Sequence, residues 1–411
     1  MELTKMNHIH DVVVLGAGLA GSSLAKALAD RGWETLLVDQ HRFPRHKVCG
    51  EFLSPESQST LCKLGLLDSV KSLHPISIKG IRLIFSSGGI IEIPLHENAF
   101  GVSRYLLDAA FHNVAQKSGV QLHTATTVTS VCQSDFGYAI EAKHGGETKL
   151  IKARAVIAAW GANRRLGLPG YRPLNSVSDT YVGVKSHFQG IAMEPVVELY
   201  VFPGGYLGIS PIEGGLVNVA ALLTRRASQS QGSSLSPSLS PSLSQGQNQS
   251  PGQEPRPSRE NSILEMIGVA ASRSALLFRK LSQAFPVPGT QAAVAPIDLD
   301  RKPVAWDTVP HVGDAALMIP PLCGDGMSVA LRSASCCATF ADSYLHGQIS
   351  LARWQHEYSQ SIQRETKGPL KWGRFLQRLF GMPFLPRLLP GLAQLAPGSA
   401  IALVQATRLK Q

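Results

Sequence analysis

Long runs of one charge are missing from this chain, and so are the paired cysteines that mark zinc sites or disulfide scaffolds. Lys and Arg are scattered and form no basic stripe interleaved with aromatics, which argues against nucleic acid as a partner. The six cysteines, Cys49, Cys62, Cys132, Cys323, Cys336 and Cys337, include no CxxC pair and no Cys/His spacing fit for zinc, so no metal site is expected. So few thiols in 411 residues point to reduced cysteines and a cytoplasmic location. Met1–His10 is polar and shows no signal-peptide pattern. The uncharged stretch Leu388–Thr407 is interrupted by Pro390, Gly391, Pro397 and Gly398, which argues against a spanning helix.

What is present is an apolar, globular composition, 44% hydrophobic and 17% charged. At 411 residues the chain exceeds one compact core, and two lobes sharing an interface are expected. The net charge of +10 favours an anionic partner, best supplied by a phosphate-bearing cofactor and an acidic membrane surface.

The strongest pattern opens the chain. Val12–Leu15 is a short apolar run suited to a buried parallel strand, followed by Gly16, Ala17, Gly18, Leu19, Ala20 and Gly21, a G-x-G-x-x-G turn. Gly16 permits the tight turn, Gly18 lets a pyrophosphate approach the backbone, and Gly21 lets helix and strand pack closely. A helix is predicted over Ser22–Asp30, with its positive end toward the phosphates. Thr35–Val38 reads as the next strand, and Asp39 at its end is placed to accept ribose hydroxyls. An acid there disfavours a 2′-phosphate, so this motif alone leaves FAD or NAD.

Far downstream, His311–Ala334 contains Gly313-Asp314, a Pro320-Pro321 turn, Gly324-x-Gly326 and Met327, then a helix over about 327–338. Between the two lies F-P-R-H-K-V-C-G-E-F-L-S-P-E, Phe43 to Glu56, carrying Arg45, Lys47 and Cys49. Ser103–Ala115, with Arg104 at its head, reads as an amphipathic helix with Leu106, Ala110 and Val114 on one face. Val120–His123, Thr127–Cys132, Tyr138–Lys143 and Thr148–Ile151 read as a small meander, with a hairpin turn at Gly145-Gly146. Val196–Thr224 gives three strand-like runs separated by Gly-rich turns, including P-G-G-Y-x-G-x-x-P with Tyr206.

Together these segments resemble the geranylgeranyl reductase-like branch of the FAD-dependent aromatic hydroxylase superfamily. The resemblance implies an α/β fold: a Rossmann-type, glutathione reductase-like FAD-binding domain with a parallel sheet, a β-sheet substrate lobe and a helical C-terminal tail. It decides for FAD. Asp314 would bind the ribityl chain, and the helix near Gly326 would aim its dipole at the flavin pyrimidine edge. Arg45 or Lys47 would face the flavin phosphates, Arg104 would reach the cofactor, and Cys49 would lie near the isoalloxazine ring. Read without the family, Cys49 is a buried filler, Arg104 an exposed helix start and Tyr206 a half-buried sheet aromatic. Cys49 and Tyr206 are the catalytic candidates. Trp160 stands where hydroxylases carry an acid that touches flavin and nicotinamide, so NAD(P)H is a possible donor whose docking this departure leaves open.

The expected domain plan is a discontinuous FAD-binding domain of residues 1–75, 100–165 and 290–345. A substrate lobe takes 76–99 and 166–289, and 346–411 forms a helical C-terminal region. Residues 228–260, with Ser-Leu-Ser-Pro twice over, are expected to be a disordered insert, and Ile263–Leu281 an amphipathic helix. Trp372, Phe375, Leu376, Leu379 and Phe380 share a helical face near Arg374 and Arg378. That face would pack on the body or make peripheral membrane contact. Three functions follow. The first is reduction of C=C bonds in a lipophilic, isoprenoid-like substrate. The second is NAD(P)H-dependent hydroxylation of an aromatic or polyketide substrate. The third is a non-catalytic prenyl carrier, disfavoured by complete glycines in both fingerprints. The W-x-W-x-I-P pattern of flavin halogenases is absent.

Overall fold

The computed structural model describes residues 8–162, 167–171, 173, 180–225 and 258–381. The central part of the Ser/Pro-rich insert, 228–257, and the uncharged stretch 388–407 lie outside these residues.

The chain opens with β1 (Ile9–Leu15), α1 (Leu19–Ala29) and β2 (Thr35–Val38). A short β3 (Phe52–Leu53), α2 (Ser57–Lys63) and α3 (Leu67–Lys71) lead to the long hairpin of β4 (Ile76–Phe85) and β5 (Ile90–Gly101). Next come α4 (Arg104–Lys117), β6 (Gln121–His123), β7 (Thr126–Ser134), β8 (Gly137–His144) and β9 (Glu147–Ala158). The second half holds β10 (Tyr181–Gln189), β11 (Val196–Phe202), β12 (Gly205–Pro211), β13 (Val217–Thr224), α5 (Arg259–Ala271), α6 (Ala275–Leu281), β14 (Phe285–Pro286), β15 (Ala292–Ile297), α7 (Gly326–Leu345) and α8 (Leu351–Gly381).

The first sheet runs β6-β2-β1-β9-β8-β7. Its first four strands are parallel, and β9-β8-β7 is an antiparallel meander. One strand, β9, serves both parts: its opening half pairs with β8 alone and its closing half with β1. The run read at 148–151 is therefore part of a longer strand that continues to Ala158. Residues 121–123, read as part of the meander, instead pair parallel with β2 at the opposite edge. A three-residue strand, Gln-Leu-His, carries no pairing direction; the preceding α4, acting as a crossover helix, sets it.

The second sheet runs β14-β10-β13-β12-β11-β4-β5-β3, with β15 also on β10. The three strands expected in Val196–Thr224 are present as an antiparallel β11-β12-β13 unit. The helix expected over Ile263–Leu281 is two helices, because Ser274 interrupts it and caps α6 by accepting the Leu277 N–H at 3.4 Å. Their buried residues Ile263, Met266, Ile267, Ala270 and Leu277 join the apolar side of β10 and β13 in one core cluster. The main cluster lies under the first sheet, where α1, α4, α7 and α8 pack together through Leu24, Leu28, Leu107, Phe111, Leu331, Ala338, Trp354 and Tyr358.

Two helix readings need correction. The first helix begins at Leu19 rather than Ser22, which brings its unpaired N–H groups directly after Gly18. In α4 the buried face carries Arg104, Leu107, Asp108, Phe111, His112 and Ala115, whereas Leu106, Ala110 and Val114 are only partly buried. The apolar spacing missed this because half of the inward face is polar and charged.

Candidate functional site

The glycine turn does three different things at three positions. A Cβ on Gly16, whose φ is +112°, would lie 2.5 Å from the Ala159 carbonyl oxygen at the end of β9. A Cβ on Gly21 would lie 1.8 Å from the Gly16 carbonyl oxygen, so helix and strand touch there. At Gly18 the only neighbour within 4 Å would be Arg104 Nη2 at 3.9 Å. Gly18 thus leaves open space at the start of α1, whose first turn contains no acidic residue. This is the geometry that a pyrophosphate needs.

Asp39 closes the loop from the other side. Its Oδ2 accepts the Ala17 N–H at 2.8 Å, while Oδ1 accepts the His41 N–H at 2.8 Å and faces the His41 ring at 3.0 Å. Burial pushes this carboxyl up, but the His41 ring and N–H, with Ala17, hold it below its ordinary value. The Ala17 carbonyl accepts from His112 Nε2 at 2.6 Å, which ties the turn to α4.

Basic residues converge over this turn. Arg104 is buried at the head of α4 and forms a bidentate pair with Asp108, both bonds 2.9 Å. Burial pulls its guanidinium down; Asp108 and a hydrogen bond with Cys49 more than offset this and raise it. Cys49 therefore lies against Arg104, which itself lies over Gly18. Arg45 stacks over Phe43 at 5.3 Å, and its Nε is buried with no hydrogen-bond partner. An orphaned guanidinium N–H in a cradle beside an open helix N-terminus fits a phosphate-bearing cofactor. Lys47 stands 4.0 Å from Asp314, and burial, with Arg104 next, lowers its amine. About a third of its side chain remains accessible, consistent with a cleft wall.

The distant stretch is brought to the same place. Pro310–Val312 runs beside the end of β9: the Ala158 N–H bonds the Pro310 carbonyl and the Val312 N–H bonds the Ala158 carbonyl, both 2.9 Å. Gly313 follows with φ +61° and approaches Ala20 of α1, where a Cβ would lie 3.0 Å from that methyl. The Gly313 N–H donates to Ser333 Oγ of α7 at 2.9 Å. Gly324 is left-handed and sits against Phe52, Gly326 opens α7 with nothing near a would-be Cβ, and Met327 is buried. Ser328 in that first turn bonds Ser54 and Ser57 at 2.6 and 2.7 Å, which fixes the helix start against the loop after β3.

Tyr206 lies on β12 in a packed cluster with Leu83, Phe85, Val201, Leu222, Ile297 and Leu376 of α8. Burial raises its hydroxyl. Trp160, just past β9, faces the His311 ring at 6.2 Å.

One group of residues was missed in the sequence. Glu51, in a left-handed conformation at φ 54°, is fully buried beside Lys185 and His187 of β10. Lys185 Nζ lies 2.8 Å from Glu51 Oε1, 2.7 Å from His187 Nε2 and 3.4 Å from His46 Nδ1. His187 Nε2 is 2.6 Å from Glu51 Oε2, and the Arg104 N–H donates to Glu51 Oε1 at 3.0 Å. His46 stacks on Tyr105 at 4.7 Å. Burial first, then Lys185 and His187, push His46 down to about 4. The available signal was Lys185 and His187 two apart on one face of a strand buried on both sides.

The family described as FAD binding domain matches residues 10–168, the span that carries the glycine turn, Asp39, Arg45, Lys47 and Arg104. The chain is 27% identical over 395 residues to a menaquinone reductase of Mycolicibacterium smegmatis, covering 90% of this chain and 87% of that one. It is 29% identical over 221 residues to digeranylgeranylglycerophospholipid reductase 1 of Methanothermobacter thermautotrophicus, 51% of this chain and 55% of that one. A geranylgeranyl bacteriochlorophyll reductase-like structure from Thermoplasma acidophilum superposes with a TM-score of 0.72 at 18% identity, over 97% of this chain and 99% of that one. The protein is an FAD-dependent oxidoreductase. Within that class its sequence is similar to menaquinone and digeranylgeranylglycerophospholipid reductases, and its fold to a geranylgeranyl bacteriochlorophyll reductase-like protein. Among the described residues no helix is long and apolar enough to cross a membrane.

Proposed function

We propose that this flavoprotein reduces C=C bonds of a lipophilic, isoprenoid-like substrate. One observation carries the reading: likeness to a menaquinone reductase runs through 90% of the chain, well beyond the FAD-binding span. The named substrate of the second relative is also a prenyl lipid. Bound FAD would supply the hydride chemistry. Asp39 would hold the adenosine ribose, Arg45 and the α1 N-terminus the pyrophosphate, and Asp314 the ribityl chain. Arg104 would then set Cys49 at the ring edge. Tyr206 would contribute through packing of the sheet that roofs the site.

The test is anaerobic. Photoreduced holoenzyme is mixed with a polyprenyl quinone or a geranylgeranyl lipid, and flavin reoxidation is followed with mass analysis of the product. Gain of two hydrogens per flavin turnover supports the reading, and reoxidation without saturated product sinks it. The alternative is an NAD(P)H-dependent monooxygenase acting on an aromatic or polyketide substrate. It requires a transient flavin hydroperoxide on oxygen mixing, with substrate-stimulated NAD(P)H use. Protein that stays colourless after addition of FAD would leave only the prenyl-carrier reading.

Membrane contact through α8 is a further element of the proposal. Trp372 and Phe375 are 40% and 49% exposed, a pair of aromatics at the surface of the helix that precedes the uncharged tail. Arg374 is turned inward to the Leu299 and Arg301 carbonyls, and Arg378 is paired at the surface with Asp300, so the contact would be chiefly apolar.

A further inference from the structure

Alkene reduction adds one hydride and one proton, and the Glu51 cluster has the composition and position of a proton store. Glu51 and Lys185 are both fully buried, and charges removed from water in this way are costly unless every contact is satisfied. Here they are not all satisfied. The Nε2 atom of His187 carries either a proton or a lone pair, never both. With a proton, it donates to Glu51 Oε2 at 2.6 Å but keeps no lone pair to accept from the Lys185 ammonium at 2.7 Å. With a lone pair, it accepts one bond only, from Lys185 Nζ or from a proton on Glu51 Oε2, and the other contact is left unmatched. Glu51 Oε1 already accepts from Lys185 Nζ and the Arg104 N–H, so any proton on this carboxyl must sit on Oε2. No fixed assignment satisfies the triangle, and a proton shared between Glu51 Oε2 and His187 Nε2 relieves it.

The surroundings place this store at the seam between the two sheets. Lys185 and His187 come from β10, and Glu51 from the loop entering β3. The Glu51 N–H lies 3.4 Å from Cys49 Sγ, and Arg104 joins Glu51 through its backbone and Cys49 through its side chain. A Cβ on Gly183 of β10 would be 3.0 Å from Val48 Cγ1, so strand and loop are in direct contact. His46 is the partly exposed member, held by the Tyr105 ring and reached from Lys185 Nζ.

We propose that Glu51, Lys185 and His187 hold the proton consumed in the reaction and that His46 passes it out of the cluster and refills it. The proposal rests on the C=C reduction reading above. The balance is simple. The π bond gives way to two C–H bonds: bound reduced FAD would supply the hydride for one carbon, becoming oxidised, and the other carbon takes a proton drawn through His46. Solvent then restores one proton to the cluster.

Two measurements test this. In 15N-histidine-labelled apoprotein, the His187 ring should show a strongly deshielded N–H proton and a nitrogen shift between the protonated and bare values. Both should vanish in Glu51→Gln. A single ordinary tautomer at His187 would overturn the proposal whatever the enzyme reduces. In single-turnover reoxidation of photoreduced holoenzyme by the alkene, Glu51→Gln and His46→Asn should be slowed at least ten-fold, with imidazole rescuing His46→Asn and oxygen reoxidation unchanged. Undiminished alkene rates in both variants would also overturn it. Absence of saturated product with the wild-type chain would instead remove the C=C reading, and the two failures stay distinct. If Glu51→Gln fails to fold, His46→Asn with imidazole rescue decides alone.

Discussion

A methyl group would do opposite things at Gly18 and Gly21, three residues apart. At Gly21 it meets the Gly16 carbonyl oxygen at 1.8 Å, a backbone atom that cannot move without opening the β1-α1 turn. At Gly18 it meets open space, in a backbone conformation that alanine adopts readily (φ −75°). Gly18→Ala should therefore melt like wild type yet bind FAD at least ten-fold more weakly, a loss of about 1.4 kcal/mol or more. Gly21→Ala should lose fold and flavin together. Thermal melting alongside flavin absorbance separates the two. Acid sensitivity also belongs to single residues. His46 has a folded value near 4 against an ordinary 6.5, so the unfolded chain binds more protons between these values and stability falls as pH drops through them. Lys185, His187, Glu51 and Tyr105 surround it, and only Glu51 opposes the shift. Asp39, depressed below 3.8, contributes stability that is full above that pH and lost as pH falls through its folded value. Denaturant midpoints of the apoprotein should thus decline in two stages. Replacing His46 with Asn should shrink the upper stage, to which His10 and His123, also lowered by burial, contribute the remainder, and leave the lower stage unchanged.

Helix α4 shows what an element hides from its own sequence. Phe111→Ala should cost about 3–5 kcal/mol, because this ring is fully buried in the main core. Leu106→Ala, on the face that apolar spacing favoured, should cost less than about 1 kcal/mol. Urea midpoints of the two variants check this directly. Asp108→Asn on the same helix should cost about 3–5 kcal/mol by leaving the buried Arg104 guanidinium without its counter-charge. The glycine turn, Asp39 and the Gly313–Met327 stretch were legible because each makes a backbone demand at fixed spacing. The inward face of α4 was not, since Arg104, Asp108 and His112 are buried on it and break the apolar pattern. Pairing of β6 with β2 was equally hidden, because three residues cannot announce a direction. The Glu51–Lys185 contact spans 134 positions, and nothing local in either segment names the other.

Across the whole molecule, the cradle is assembled from the turn after β1, the loop before β3, the head of α4 and the start of α7. A cofactor held there would touch several elements at once, so FAD should act as a tie between segments far apart in sequence. Free FAD at a hundred times its Kd should stabilise the chain by about 2.7 kcal/mol, with a melting shift that tracks ligand concentration. The distribution of that protection is the sharper observable. If flavin lies only along the first sheet, amide exchange should slow in β1 and the first turn of α1 and remain unchanged in β10. If the ring reaches the seam where Cys49 joins Glu51, amides of Lys185 and His187 should slow as well, because Glu51 binds both side chains. Hydrogen exchange with and without FAD therefore reads how far the cofactor extends. Protection confined to the first sheet would detach the buried cluster from the flavin, while protection of β10 would make the two sheets one cofactor-dependent unit.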